Sequence, residues 1–143
     1  MKKIFLLLAV TFLSLTTSAE TLLGKVIKVT DGESFTVELE DKSVIDVCIY
    51  AIDTPNKTKE KSSFDAAKKK LEKLILSQTV VIEVYYRDTT GRPVAKISTA
   101  NIADVATQLL KLGAVRHLPN IDDTSDYKIA EDFAKQHKFG IWK

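Results

Sequence analysis

The chain has 143 residues, with 21 basic and 19 acidic side chains and 45% hydrophobic composition. It holds no internal repeat, low-complexity tract or Pro/Gly-rich linker, so one domain with a modest core is expected. Its single cysteine, Cys48, excludes an internal disulfide, so stability has to come from packing.

Residues 1–19 read as a secretory signal peptide. Lys2 and Lys3 precede an apolar stretch from Ile4 to Leu15, and Thr17-Ser18-Ala19 is a small-residue end suited to signal peptidase. The apolar run is short for a bilayer span, and an uncleaved anchor is the competing reading. No Cys follows it, so a lipoprotein anchor is not supported. The expected location is secreted or periplasmic, with no membrane attachment after cleavage. Residues 20–143 form the domain, and without Lys2 and Lys3 its basic and acidic side chains balance. The positive charge is local: Lys57, Lys59, Lys61, Lys68, Lys69, Lys70 and Lys73 lie close together in sequence. Either this is a solvated loop and outer helix face, or it is a surface for an acidic ligand.

Leu23 to Val29 reads as a strand and Asp31-Gly32 as the turn after it. Ser34 to Leu39 alternates, with Phe35, Val37 and Leu39 on one face. Asp41-Lys42 connects to a third strand, Ser43 to Ile49. The period then changes: Phe64, Ala67, Leu71 and Leu74 share a helical face, and Ser62 and Asp65 have the spacing of a capping pair. Thr79 to Tyr86 and Val94 to Ser98 form a hairpin across Asp88-Thr89-Thr90-Gly91. A second helix carries Ile102, Val105, Ala106, Leu109 and Leu110, with Asn101 as its cap and Gly113 at its end. The last runs from Asp126 to His137 and is expected to bury Ile129, Ala130 and Phe133. Gly140 should stop it, and Ile141-Trp142 should fold back as an apolar plug. Five strands and three helices in this order predict an α+β fold, a small five-stranded OB-like Greek-key barrel.

Four segments resemble one family in order. They are Asp31-Gly32-Glu33-Ser34-Phe35, Ile49-Tyr50-Ala51-Ile52-Asp53-Thr54-Pro55, Asp88-Thr89-Thr90-Gly91-Arg92-Pro93-Val94-Ala95 and Phe139-Gly140-Ile141-Trp142. Together they are similar to the staphylococcal nuclease-like (thermonuclease) domain across residues 22–142. The resemblance implies Ca²⁺-dependent hydrolysis of phosphodiesters in DNA and RNA. It also implies two metal-binding aspartates beside a threonine carbonyl, a glutamate that activates water, and two arginines that neutralise charge on the phosphate. Those roles suit hard oxygen ligands, a carboxylate base and preorganised cations.

Carried over residue by residue, the metal positions are Glu33, Asp53 and Thr54. Glu33 stands where the family has aspartate; its extra methylene moves the carboxylate by about an ångström and weakens the expectation of Ca²⁺. The general-base position holds Asn56, whose amide cannot take a proton at neutral pH. Glu60 is the nearest following carboxylate. The first arginine position holds Cys48, which cannot clamp a phosphate with paired donors. The second arginine is kept as Arg92. Thr89 and Thr90 stand at the substrate-contacting lysine and tyrosine positions, and His117 lies in the segment where active relatives present tyrosines. Tyr50, Tyr85 and Tyr86 read as structural strand residues. Cys48 is either a small filler on an inward strand face or a free thiol open to pairing.

Loss of a positioned base costs about 10²–10⁴ in rate and loss of a charge-stabilising donor about 10²–10³. The leading expectation is therefore an exported thermonuclease-like domain with a degenerate site, a noncatalytic or very weak module that binds nucleic acid or a related phosphodiester. The alternatives are an active Ca²⁺-dependent nuclease with an adapted site and an OB-like module for a protein partner.

Overall fold

The computed structural model describes residues 19–143. The expected signal peptide therefore lies outside the described residues, apart from Ala19. Among the described residues, no helix is long and apolar enough to cross a membrane.

Strands β1 (Thr21–Val29), β2 (Ser34–Leu39), β3 (Val44–Ile49), β5 (Thr79–Arg87) and β6 (Pro93–Ser98) close a barrel in the order β1-β2-β3-β6-β5. β1, β2 and β3 form an antiparallel meander. β6 then runs parallel to β3, pairing Cys48 with Val94 and Ile49 with Ala95, and β5 returns to β1. This is the α+β, OB-like barrel expected from the strand pattern. Val26, Phe35, Val37, Val47, Ile49, Ile82 and Ile97 fill it at no more than 1% exposure. Two further strands, β4 (Ile52–Asp53) and β7 (Arg116–His117), pair Ile52 with His117 and Asp53 with Arg116.

Three helices, α1 (Lys61–Ile75), α2 (Val105–Lys111) and α3 (Ser125–His137), pack around the barrel. α1 buries Ala67, Leu71 and Ile75. The expected capping pair is absent: Ser62 and Asp65 lie inside the helix, which starts after Glu60 without a side-chain cap, and Asp65 instead pairs with Lys61 at 2.9 Å. α2 is capped by Asp104, whose carboxylate accepts from the Ala106 N–H at 3.0 Å. Asn101 and Ile102 precede that helix, because the Thr99 hydroxyl accepts both their N–H groups and holds them in a turn. Gly113, at φ 66°, does end α2.

α3 turns a different face to the core from the one its large apolar residues predict. It buries Tyr127, Ala130 and Ala134, while Ile129 is 63% exposed and Phe133 41% exposed. The small alanines let α3 approach α2 closely, and the Tyr127 hydroxyl donates to Asp104 at 3.0 Å. Burial and the Asp104 charge push that phenol well above its ordinary pKa. The left-handed stop of α3 is Lys138 at φ 54°, not Gly140. Gly140 opens a 3₁₀ turn over Gly140–Trp142, and the Ile141 N–H donates to the Gly113 carbonyl at 2.9 Å. Trp142 is half-buried, with Lys135 Nζ 4.6 Å from its ring centroid.

Candidate functional site

Strand register assembles a cleft at one end of the barrel. β2 pairs Ser34 with Cys48, β3 pairs Cys48 with Val94, and the Ile49 N–H donates to the Glu33 carbonyl at 2.7 Å. Glu33, Cys48 and the start of β6, where Arg92 sits, are thereby neighbours. Residues 31–34 turn sharply because one oxygen of Asp31 accepts the N–H groups of Glu33 and Ser34, each at 2.8 Å. Gly32 belongs in this turn for lack of room: a Cβ there would lie 2.8 Å from Ala67 Cβ of α1 and 3.1 Å from Thr54 Oγ1. The same close approach brings Thr54 to the cleft. Its hydroxyl donates to Asp31 and its N–H to Glu33 Oε1, both at 3.5 Å.

The cleft is acidic and partly dehydrated. Burial pushes the Glu33 carboxyl up to about 7, helped by the charges of Asp31 and Asp53. Asp53 is exposed at the end of β4. Asp31, Glu33, Asp53 and Thr54 supply the hard oxygens that Ca²⁺ takes. Among the described residues, however, no three His, Cys, Asp or Glu side chains converge enough to hold a metal ion. One oxygen of Asp31 is engaged by the turn, and Glu33 Oε1 faces the Thr54 N–H.

Cys48 faces this cleft rather than the barrel interior. Val47 and Ile49 on either side are buried at no more than 1% exposure, so the two-residue period of β3 turns Cys48 outward. The reading of Cys48 as an inward filler is thereby corrected. Burial against the cleft, with Glu33 beside it, pushes the thiol up to about 11. Arg92 lies on the same side. Its Nε donates to Asp88 Oδ2 at 2.9 Å and its backbone N–H to Asp88 Oδ1 at 3.0 Å, while its terminal nitrogens make no hydrogen bond among the described residues. The Thr90 hydroxyl and Arg92 together hold Asp88 down to about 2. Thr90 is thus committed to the turn, and Thr89 beside it is exposed.

Asn56 and Glu60 are also occupied within the chain. The Asn56 side-chain oxygen accepts the N–H groups of Thr58 and Lys59, each at 2.9 Å. Glu60 accepts from Arg116 through both oxygens, at 2.7 and 3.2 Å, and from the Asn56 N–H at 3.1 Å. Arg116, opposite Asp53 across the β4–β7 pair, is a member of this neighbourhood that sequence reasoning did not single out. Asp31 is another; its spacing to Glu33 and Ser34 is the one available signal. His117 is turned inward, 7% exposed, with its ring nitrogen against the Asp122 carbonyl and its ring 5.8 Å from that of Tyr127. Tyr85 and Tyr86, each nearly half exposed, pack edge-on against Tyr50 with centroids 4.6 and 6.3 Å from its own.

The geometry therefore presents one oriented arginine with free terminal donors beside a crowded acidic turn. No curated protein matches the chain. The family model described as "Staphylococcal nuclease homologue" matches residues 46–143, a span that holds Cys48, Asp53, Asn56 and Arg92 and leaves out the 31–35 turn. Because that match covers more than half of the sequence, the chain belongs to the staphylococcal nuclease homologue family.

Proposed function

We propose that this protein is an exported nuclease-family domain whose catalytic site is degenerate, and that it binds nucleic acid or a related phosphodiester while hydrolysing it very weakly or not at all. The observation that carries this reading is the contrast between Arg92 and Asn56. Arg92 is oriented by Asp88 with its terminal donors free, as a phosphate contact requires. Asn56, at the base position, spends its side-chain oxygen on two backbone N–H groups of its own turn. Glu60 does not replace it, because both its oxygens are bound to Arg116. With Cys48 at the other arginine position, the site keeps one phosphate contact and no placed base. The expected rate is thousands of times below that of an intact site, taking the lower end of about 10² for each lost group and discounting for non-additivity.

The test is incubation of the protein with single-stranded DNA and with RNA, with Ca²⁺ in one series and a chelator in the other. Binding that weakens as salt rises, without cleavage, is the expected result. Cleavage that needs Ca²⁺ and disappears in Arg92→Ala overturns the reading in favour of an adapted, living nuclease. Absence of oligonucleotide binding even at low salt favours a protein partner.

A further inference from the structure

A groove of about 710 Å³ runs between α1 and the carboxy-terminal turn. Its size falls within the range of roughly 300–1,000 Å³ typical of ligand clefts. It shares no lining residue with the acidic cleft. Its base is held by the close contact of two glycines: a Cβ on Gly113 would meet the Phe139 carbonyl oxygen at 2.2 Å, and one on Gly140 would meet the Gly113 oxygen at 2.0 Å. That contact and the Ile141-to-Gly113 hydrogen bond fix the carboxy-terminal segment relative to the end of α2, so the groove is a built feature of the fold.

Its chemistry is one-sided. Phe139, 42% exposed, Leu112 and Ile141 give it an apolar wall. Ser62 and Ser63 of α1 face that wall, and neither hydroxyl bonds to another described residue. Lys70, Lys138 and Lys143 also line it, and no acidic side chain does. None of the three forms an ion pair among the described residues, whereas Lys61, Lys128 and Lys135 each pair with an acid four residues away on their own helix. Unpaired cations around an apolar wall attract an anion that also carries hydrocarbon.

We propose that this groove docks an acidic peptide segment of a partner protein, seating one apolar side chain against Phe139 and carboxylates on Lys70, Lys138 and Lys143. Charge complementarity selects the anion. Lysines take carboxylate and phosphate alike as point charges, so the choice between a peptide and a nucleic acid rests on the apolar wall. Phe139 is the one aromatic residue of the lining, and its ring already packs against Phe133 and His137, with centroids 6.0 and 5.4 Å away. A nucleic-acid strand therefore finds no run of stacking platforms there.

The test uses a fluorescein-labelled peptide in which a central leucine-phenylalanine pair is flanked by glutamates and aspartates, titrated with the protein at low salt and read by anisotropy. Saturable binding is expected, weakened about tenfold or more by the double variant Lys70→Glu, Lys138→Glu, and weakened also when serines replace the peptide's leucine and phenylalanine. Amide shifts on binding should cluster at Ala66, Gly113 and Phe139. If the double variant does not fold, the single variant Lys138→Gln is read in the same way. Four results overturn the proposal: no saturable binding, binding indifferent to the lysine substitutions, displacement of the peptide by an oligothymidylate that needs the same lysines, or a dimer that these substitutions dissociate. The third makes the groove a nucleic-acid surface, and the fourth fills it with a second copy of the chain.

Discussion

Glu60 and Arg116, 56 residues apart in sequence, meet through two parallel hydrogen bonds of 2.7 and 3.2 Å. The pair ties the loop before α1 to β7, and the Arg116 guanidinium also lies 6.0 Å from the Trp142 ring centroid. Both side chains remain more than a third exposed, at 37% and 35%, so solvent screens much of their attraction. A double-mutant cycle on Glu60→Ala and Arg116→Ala, measured by denaturant unfolding, should give a small favourable coupling that shrinks in high salt.

Gly113 and Gly140 set a stricter constraint. Both have positive φ, at 66° and 54°, and each presents its missing Cβ position to the backbone of the other segment. Gly140→Ala meets a backbone oxygen that no side-chain rotation can clear. The expected loss is about 2–4 kcal/mol in the unfolding free energy, larger than ordinary helix or surface substitutions cause. Gly91, also at positive φ but with open space around it, should lose only about 1 kcal/mol on the same change.

Much of the barrel was legible because period-two alternation puts Phe35, Val37, Val47 and Ile49 on its inner side. β4 and β7 were not, since two residues are too few to show a period. On α3 the expected burial holds at Ala130 but not at Ile129 and Phe133, for a definite reason. Hydrophobicity points to Ile129 and Phe133, but close packing on α2 favours Ala130 and Ala134, which leave room for it. At the candidate site the residue types at Glu33, Cys48, Asn56 and Arg92 could be read directly. What sequence spacing did not reveal was their engagement: Asn56 in its turn, Glu60 on Arg116, and Asp31 in the cleft. Those bonds depend on local loop geometry and on long-range contacts that leave no periodic trace.

Cys48 should behave as an unreactive thiol. Its pKa is pushed up to about 11 by burial and by the nearby Glu33 charge, so the thiolate fraction at neutral pH falls about a hundredfold below that of a free cysteine. Alkylation by iodoacetamide at pH 8 should be slower by a similar factor in the folded protein and recover on unfolding. Glu33→Gln should speed the folded-state reaction, since it removes the second cause of the shift. Alkylation as fast as that of a model thiol sinks this account.

Glu33 itself makes stability depend on pH in an unusual direction for a carboxylate. Its folded pKa of about 7 lies above the ordinary 4.5, so the folded chain holds this proton more tightly than the unfolded one. The contribution is fully present below about pH 4.5 and is lost as pH rises through 7. Above that range the ionised side chain is buried beside Asp31 and Asp53, at a cost of about 1–3 kcal/mol. Glu33→Gln keeps an oxygen for the Thr54 N–H and removes the charge. The variant should therefore be more stable than the parent at pH 8 by about 1–3 kcal/mol and nearly equal to it at pH 4.5, as read by denaturant unfolding at each pH. Glu33→Asp keeps the charge on a shorter arm and should gain nothing at pH 8. Equal stabilities of Glu33→Gln and the parent at both pH values would mean that Glu33 is solvated and ordinary. The crowding of three carboxylates around the 31–34 turn would then be weaker than the geometry requires.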